Sequence, residues 1–211
     1  MLDLLSQSPW LFLAAILAIV VALSVHEYSH ALTAYFLGDR TSQYMGRLTL
    51  NPLAHIDPLG LLLLIFVGFG WGKPVPFNIY NLRNNRWGQA LIAVFGPLSN
   101  FLLAGAAYVL GNFLINASLL SFDNLLAQFL FRLIQINFVL GVFNLIPIPP
   151  LDGSKVLFSF LPEKFSPWIE YFETQGPWIL LLLLIVDNFF GIHFLSGFLQ
   201  FAWNFAVAFF S

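Results

Sequence analysis

An uncharged apolar run that ends in three ionisable side chains constrains this chain more than any other feature. Residues 10–25 (WLFLAAILAIVVALSV) carry no charge, and His26, Glu27 and His30 follow within five positions. A bilayer core of about 30 Å needs about 20 apolar residues, so the run predicts a first membrane-spanning helix over residues 9–37. Ionisable groups inside such a helix cost roughly 2.5 to 3.5 kcal/mol each on insertion scales, which indicates that they have a function.

The composition of the whole chain also indicates an integral membrane protein. Of its 211 residues, 59% are hydrophobic and 9% are charged, whereas soluble domains carry about 25% charged residues. The net charge of −2 provides no basic surface for nucleic acid, and the lack of cysteine excludes disulfides, thiolate catalysis and zinc–thiolate sites. Residues 1–211 are therefore expected to form one transmembrane domain, with a core over about 9–161 and C-terminal membrane segments over about 177–210.

The remaining apolar segments predict an all-α polytopic membrane protein, a helical bundle of about four to six membrane segments. Residues 87–115 and 125–146 are each long enough to span, and residues 177–210, which polar positions interrupt, are expected to form two segments. Residues 59–71 would reach only about 20 Å at a rise of about 1.5 Å per residue, which favours a short re-entrant segment. Residues 153–161 are expected to form a short helix.

Small β-strand elements are expected near the ionisable cluster. Residues 43–50 (QYMGRLTL) have the composition of a short strand, and the alternating prolines of residues 73–80 (KPVPFNIY) favour an extended, edge-like segment. Non-helical backbone at membrane depth is tolerated only where it is buried in protein or lines a wet cavity. Residues 73–80 are therefore expected to be buried in protein or to line a wet cavity beside the site.

The distribution of lysine and arginine predicts the orientation of the bundle. If residues 59–71 re-enter, the basic stretches 39–58, 73–86 and 147–175 all lie on one side, whereas residues 116–124 contain neither Lys nor Arg. The positive-inside rule makes the basic side cytoplasmic, so the ionisable cluster is expected toward the cytoplasm. The lack of organelle signals suits a prokaryotic plasma membrane.

The segment His26-Glu27-Tyr28-Ser29-His30 has the pattern H-E-x-x-H. Side chains at positions i and i+4 lie one turn apart on the same face of a helix, so both imidazoles can bind one metal ion. Glu27 lies beside that face, where it can take a proton from a metal-bound water. The pattern predicts a zinc hydrolase sunk in the membrane. The structural alternative is interhelical hydrogen bonding by the histidines, with Glu27 paired to an arginine.

A catalytic zinc needs a third protein ligand and an open position for water. Asp152 is the strongest candidate, because the prolines that precede it prevent a continuous helix and leave its carboxylate free to be aimed. The alternative role is an N-cap of a helix that starts at Gly153 or Ser154, and different carboxylate oxygens can fill both roles. The other candidate ligands are His55, Asp57, Asp123, Glu163, Glu170, Glu173, Asp187 and His193. The three glutamates are expected in solvent, and Asp187 and His193 at a membrane interface.

Five motifs in fixed order give the chain a family resemblance. They are HEYSH (26–30), NPLAHIDPLG (51–60), GKPVPFN (72–78), GPLSN (96–100) and NLIPIPPLDG (144–153). Together they resemble the site-2 protease family of intramembrane zinc metalloproteases, in a minimal form without the PDZ or CBS domain of many relatives. The resemblance covers residues 24 to about 157. It implies one zinc per chain held by His26, His30 and Asp152, Glu27 as general base, and membrane-protein segments or peptides as substrates in the lipid bilayer.

Three further residues have more than one possible role. The resemblance implies that Asn100 and Asn144 stabilise the oxyanion or hold substrate, while hydrogen bonds between helices or capping near the prolines are the structural alternatives. His55 lies between two prolines and is expected to support the ligands or to fix its loop by a hydrogen bond to Asp57, with zinc binding in some states as the lesser alternative. Backbone groups of KPVPFN are expected to pair with an unwound substrate.

Two functions of other classes fit parts of the sequence. A zinc or proton transporter would use paired His and Asp residues as a transit site, but it needs polar residues along several spans, and here they cluster at one depth. A catalytically inactive membrane scaffold would not need the intact set His26, Glu27, His30 and Asp152. The sequence therefore favours the peptidase.

Overall fold

A computed structural model describes residues 5–6, 8–67, 70–191 and 193–210. Within these residues the chain forms helices α1 (Pro9–Phe36), α2 (Thr41–Tyr44), α3 (Pro58–Val67), α4 (Asn85–Asn116), α5 (Leu125–Asn144), α6 (Asp152–Phe160), α7 (Ser166–Phe189) and α8 (Phe194–Phe210). Short 3-10 turns cover Pro52–Ala54, Ile79–Asn81 and Glu163–Phe165.

Four of the helical segments are long and apolar enough to cross a membrane: Pro9–Phe36, Asn85–Asn116, Leu125–Asn144 and Glu163–Asp187. Many large apolar side chains on these helices are exposed, as expected of surfaces that face lipid rather than water. The prediction of a mostly helical chain is confirmed, with four helices that are long and apolar enough to span a membrane.

Polar side chains start the first three spanning helices. Ser8 accepts a hydrogen bond from the Leu11 backbone N–H ahead of α1, Asn84 from that of Trp87 ahead of α4, and Asn124 from that of Leu126 ahead of α5. These caps satisfy N–H groups that would otherwise lack partners at the helix ends. The predicted boundaries of the three spans therefore agree closely with the structure.

The fourth span begins earlier than the sequence predicted. The expected start near residue 177 is wrong, because α7 runs from Ser166 through Pro177 without interruption. Just before Pro177, Gly176 allows a close contact: a Cβ there would lie 2.4 Å from Pro149 Cβ, so glycine lets α7 pass against the IPIPP segment. The predicted second C-terminal segment corresponds to α8.

Small residues bring α1, α4 and α5 close together at the centre of the bundle. Ala14, Ala18 and Ala22 of α1 are buried, as are Ala104 and Ala107 of α4. Lipid tails are as apolar as the side chains they replace, so helices in a membrane associate through close packing of this kind. The resulting three-helix core is the rigid support on which the ionisable cluster stands.

Helix α3 and the chain after it double back on themselves. A Cβ on Gly60 would lie 2.1 Å from Trp71 O, Ile56 forms an antiparallel bridge with Gly72, and Lys73 N donates to His55 O at 2.8 Å. The chain therefore returns to the end at which α3 began, as the re-entrant prediction requires. Residues 68 and 69 of the predicted segment lie outside the described residues.

The strand predicted over residues 43–50 is wrong. Asp39 Oδ1 accepts hydrogen bonds from Thr41 N and Thr41 Oγ1, which starts the helical turn α2, and Gly46 with φ +67° follows in a turn. A left-handed glycine interrupts an extended chain. Within the described ranges the single Ile56–Gly72 bridge is all the β-pairing present. Residues 73–78 are non-helical as expected, but the last two residues of the predicted extended segment, 79 and 80, lie in a 3-10 turn.

Candidate metal centre

His26, His30 and Asp152 meet at the junction of α1 and α6. Asp152 Oδ2 lies 3.1 Å from His26 Nε2 and 3.2 Å from His30 Nε2, and the two Nε2 atoms are 2.9 Å apart. All three side chains are buried. Among the described residues they form the one group of three or more potential ligand side chains close enough to hold a metal ion. The predicted ligand set therefore converges on one point.

A chain of buried amides fixes which nitrogen of His26 carries the proton. Asn137 Nδ2 donates to Leu133 O at 2.8 Å, so Asn137 Oδ1 accepts, at 2.9 Å, from Asn100 Nδ2, which also donates to Ala22 O. Asn100 Oδ1 must then accept from His26 Nδ1, at 2.6 Å. His26 Nε2 is therefore left as a lone pair that points toward the cluster.

His30 is oriented in the same way by backbone. Its Nδ1 lies 2.7 Å from Ile92 O, and because a carbonyl only accepts, Nδ1 carries the proton and Nε2 the lone pair. Outer partners of this kind are typical of metal-binding histidines, since they fix both the tautomer and the ring orientation. The two helices that pack against α1 thus orient the imidazoles: α4 directly, through Asn100 and Ile92, and α5 through Asn137.

The donor set fits a bound cation. Asp152 Oδ2 is buried without a hydrogen-bond partner, and two imidazole lone pairs face it at about 3 Å. Three electron-rich atoms this close repel each other unless a cation lies between them. Ligand atoms around a tetrahedral zinc lie about 3.3 to 3.6 Å apart for bond lengths of about 2.0 to 2.2 Å. The observed triangle is slightly tighter than that.

The local fold of the IPIPP segment aims the carboxylate of Asp152. Helix α6 begins at Asp152 itself and Leu151 is its cap, so the alternative N-cap role of Asp152 is wrong. A Cβ on Gly153 would lie 2.1 Å from Leu145 O, so only glycine allows this close return of the chain.

At the other end of α6, the Arg86 guanidinium donates to Ser159 O and, at 2.6 Å, to Leu161 O.

Gly96 provides the space that the two imidazoles occupy. A Cβ at this position would lie 2.3 Å from His30 Cε1 and 2.8 Å from His26 Cε1. Contacts below 3.0 Å are not tolerated, and here both neighbours are fixed rings. The glycine of the GPLSN motif therefore lets α4 pass directly beneath the ligands.

Glu27 contacts the non-helical segment of residues 73–78. Its Oε2 accepts a hydrogen bond from Val75 N at 2.9 Å. Arg47 Nη2 donates to Lys73 O and Pro74 O, both at 2.8 Å, and this arginine is 7% exposed. The segment is therefore held beside the glutamate by backbone contacts, independent of its own side chains.

Asp39 anchors the far end of the same segment. The carboxylate is buried and accepts hydrogen bonds from Asn78 N, Asn81 Nδ2 and both donors of Thr41. Burial raises the pKa of Asp39, but hydrogen bonds from Asn81 and Thr41 outweigh it and leave the pKa below its ordinary value. The anionic form thus joins three parts of the loop region.

The other predicted polar residues lie outside the ligand group. Asn144 Nδ2 donates to Leu140 O at 3.0 Å, on its own helix. His55 is fully buried, and its Nε2 lies 2.7 Å from Thr49 O rather than beside Asp57, whose Oδ1 accepts from Gly60 N. His55 therefore fixes its loop through Thr49, and the predicted His55–Asp57 hydrogen bond is wrong.

Asp187 lies in the last turn of α7, and His193 lies just before α8. Asp187 accepts from Leu195 N at 2.7 Å and from Ser196 N at 3.1 Å, and so caps α8. His193 Nδ1 lies 3.4 Å from Ser196 Oγ. Asp123 is exposed. The three glutamates, Glu163, Glu170 and Glu173, are also exposed, as predicted.

Sequence reasoning missed Asn137, Gly96, Arg47 and Asp39. A lone asparagine within an apolar span was the available signal for Asn137, because a buried amide requires a partner. The other three act through contacts between distant segments, which no local pattern marks.

Fold and site together define a protein with membrane-capable helices and a buried His–His–Asp group that could hold a metal ion. The family model "Peptidase family M50" matches residues 116–184. "Putative zinc metalloprotease YwhC" of Bacillus subtilis is 37% identical over 86% of this chain and 82% of its own length. "Putative zinc metalloprotease Rip2" is 31% identical in Mycolicibacterium smegmatis, over 82% of this chain and 67% of the relative, and 32% identical in Mycobacterium tuberculosis H37Rv, over 86% and 71%.

The chain belongs to peptidase family M50, the site-2 proteases. No solved structure matches it. The family resemblance predicted from the five motifs is confirmed.

Proposed function

We propose that this chain is an intramembrane zinc endopeptidase that cleaves peptide bonds within or near the membrane segments of other proteins. The convergence of His26 Nε2, His30 Nε2 and Asp152 Oδ2 within 3.2 Å of each other, beside Glu27, carries the proposal. Residues 9–161 form the proposed catalytic core, and the C-terminal membrane segments, predicted over about 177–210 and found as α7 and α8, flank it. The relatives' printed names support zinc as the metal.

His26, His30 and Asp152 would hold the metal, and their chemistry suits it: two neutral imidazoles and one carboxylate. Zinc in this position would polarise the scissile carbonyl and lower the pKa of a bound water toward about 7. With three protein ligands, the site would leave room for a water or the substrate on the metal, as catalytic zinc sites require. The amide chain through Asn100 keeps the His26 lone pair aimed at the metal.

Glu27 is the proposed general base. Its carboxylate takes the proton of the attacking water and later delivers it to the nitrogen of the leaving amine. The hydrogen bond from Val75 N holds the Glu27 Oε2 atom in place. Because the carboxylate is planar, this contact also restricts the position of Oε1. A fixed orientation of the base matters, because a misplacement of about 1 Å can cost about a hundredfold in rate.

Asn100 and Asn144 have different proposed roles. Both N–H donor groups of Asn100 Nδ2 are engaged, with Ala22 O and Asn137 Oδ1, which leaves none for an oxyanion. Asn100 is therefore a positioning residue for His26. Asn144 uses one N–H for Leu140 O, and its second N–H makes it the better candidate for stabilising the oxyanion, an interaction worth about 2.7 to 4 kcal/mol in similar enzymes.

Residues 73–78 are proposed to bind the substrate as an added strand. A helix is a poor substrate because its amides are bonded internally, and an unwound stretch needs new partners. The prolines at 74 and 76 favour extended conformation in the residues before them. Within the described residues no hydrogen bond engages Val75 O, Phe77 N or Phe77 O, so these groups are available for pairing.

Phe77→Pro tests the strand hypothesis. It removes one N–H, and we expect cleavage to fall by at least about tenfold with zinc content unchanged. Phe77→Leu is the matched control, since it keeps the N–H while changing the packing against Ala34, Leu82 and Ile92. Equal activity of the proline and leucine variants would exclude pairing through this group.

The site is proposed to face the cytoplasm of a prokaryotic cell. The support is the distribution of lysine and arginine: seven of the eight lie at the α6 end of the bundle, the eighth, Arg132, lies inside α5, and residues 117–124 contain none. The transporter alternative is less well supported, since the described residues contain one metal-binding group rather than a path of them.

Glu27→Gln tests the proposed chemistry. The amide cannot accept a proton, so cleavage of a co-expressed membrane protein that bears a single spanning segment should be lost while the metal site stays intact. Glu173→Gln, an exposed position on α7, is the control for loss of one acidic charge. Cleavage that survives in the Glu27 variant would mean that another group is the base.

A further inference from the structure

A large cavity opens at the end of the bundle near residues 117–124, which is the end away from the metal centre. It has a volume of about 800 Å³ and is bounded by α4, α5 and α8, near the upper end of the range of about 300 to 1,000 Å³ for ligand sites. His26 is level with Asn100 on α4. The polar part of the cavity begins eight residues further along α4, about 12 Å away at about 1.5 Å per residue. The apolar part approaches Asn100 at Phe101, but His26, His30 and Asp152 do not line the cavity.

The register of α4 against α5 arranges the polar lining in two levels. A Cβ on Gly111 would lie 3.8 Å from Leu130 Cδ1, and the helices are antiparallel because a short loop joins them. A residue of α4 and a residue of α5 therefore lie at the same position along the bundle axis when their numbers add to about 240. Asn112 is level with Gln128 at the outer end, and Tyr108 is level with Arg132 one turn deeper.

Below these two levels the lining is apolar. Phe101 and Phe138 are level with each other by the same register, and Trp203 of α8 packs on Phe138 with ring centroids 5.8 Å apart. The cavity is thus polar and cationic near the 117–124 loop and apolar toward the middle of the bundle. This gradient matches a molecule with a polar head and a hydrocarbon tail.

Arg132 indicates that the polar head of the bound molecule carries a negative charge. It is half-buried, one Nη1 contact goes to Gln135 Oε1 at 3.1 Å, and no carboxylate of the described residues lies within 4.0 Å of it. The cavity lining contains no Asp or Glu. An arginine inside a span is costly, and its usual partner is an anion. Planar guanidinium groups pair especially well with phosphate.

We propose that this cavity is a binding site for an anionic phospholipid. The phosphate is held by Arg132, with hydrogen bonds from the amides of Asn112 and Gln128, and one acyl chain lies along Phe101, Phe138 and Trp203. The bilayer supplies such a ligand directly, and the cavity is open to it. The proposal does not depend on the peptidase activity, because the site shares no residue with the metal centre.

Lipid retention by the purified full-length chain tests the proposal. The protein is equilibrated with phosphatidylglycerol or phosphatidylcholine of the same acyl chains, and bound lipid is counted by native mass spectrometry. We expect phosphatidylglycerol to bind about tenfold or more tightly in the wild type and this preference to disappear in Arg132→Gln. Arg83→Gln, an exposed position outside the cavity, should retain it.

A second pair of variants tests the tail position and covers the case in which Arg132→Gln fails to fold. A Cβ on Gly105 meets nothing within 4 Å, so Gly105→Leu extends into the cavity without a clash and should displace the acyl chain. Gly197→Leu, equally unobstructed but outside the cavity, is the matched control. Equal binding of the two lipids by the wild type, or full retention of phosphatidylglycerol in Gly105→Leu, would overturn the proposal. So would a photo-crosslinker at Gln128 that captures polypeptide rather than lipid.

Discussion

The Asn100 amide oxygen accepts a hydrogen bond from His26 Nδ1 at 2.6 Å, and this contact determines which His26 nitrogen faces Asp152. Asn100 is itself held by Asn137 and Ala22. Three helices thus fix the protonation of one ligand. The metal site is therefore a property of the α1–α4–α5 packing as much as of the H-E-x-x-H sequence.

Asn100→Ala should weaken zinc binding by about 10- to 100-fold, the usual cost of removing a partner that orients a metal-binding histidine. The measurement is zinc release to a competing chelator. Ser99→Ala is the control, because Ser99 Oγ donates only to Gly96 O on its own helix. Unchanged zinc affinity in Asn100→Ala would show that the amide does not orient His26.

Asn137→Leu tests the next step of the same relay. Without the Asn137 oxygen, Asn100 loses a partner and can rotate to present its N–H to His26 Nδ1, which would reverse the tautomer. Zinc affinity should fall, though by less than in Asn100→Ala. Asn137→Asp keeps the acceptor and should restore most of the affinity. If the leucine and aspartate variants behave alike, the effect is one of packing alone.

Gly96→Ala should abolish zinc binding. Its Cβ would approach both imidazoles within 3.0 Å, so at least one ring must move. Gly105→Ala on the same helix has open space and should be neutral or stabilising, by up to about 1 kcal/mol. Metal content and thermal unfolding of the two variants in detergent provide the comparison. A Gly96→Ala protein with full zinc content would contradict the described position of α4.

Asp39→Asn should destabilise the protein in a pH-dependent way. The folded pKa of Asp39 lies below its ordinary 3.8, so the carboxylate contributes stability above that pH and loses it as pH falls through the folded pKa. Near pH 7 the loss should be about 2 kcal/mol, the order of a hydrogen bond to a charged group. The measurement is the Tm of wild type and variant between pH 7 and pH 3. A gap that does not shrink toward pH 3 would contradict the linkage.

The orientation can be tested by labelling, since the chain has no cysteine of its own. Ser121→Cys in the loop between α4 and α5 should react with an impermeant maleimide added outside cells. Lys164→Cys should react only after the membrane is opened. Both positions are exposed. The opposite pattern would place the metal centre toward the outside.

The sequence predicted what local pattern determines. Uniform apolar runs mark the spans, the i, i+4 spacing marks His26 and His30, and prolines mark the segment that delivers Asp152. The strand over 43–50 failed because its residues have strand propensity, while the Asp39 carboxylate and the left-handed Gly46 decide the conformation.

Residue pairs that join distant segments could not be predicted from one sequence. Asn137 meets Asn100 only in the particular register of α5 on α4, and glycine is required at position 176 only because Pro149, from a distant segment, lies against α7 there. Local propensity carries no information about such registers. The same limit explains why Arg47 and its contacts to Lys73 and Pro74 were not anticipated.

Zinc content per chain, measured on the purified protein and its single-site variants, tests the central claim most directly. We predict one zinc in the wild type and in Glu27→Gln, and much less than one in His26→Ala, His30→Ala and Asp152→Ala, each of which removes one ligand. Exposed Asp123→Ala should keep its zinc. A full complement of zinc in Asp152→Ala would contradict the account, because the metal would then lie elsewhere in the protein.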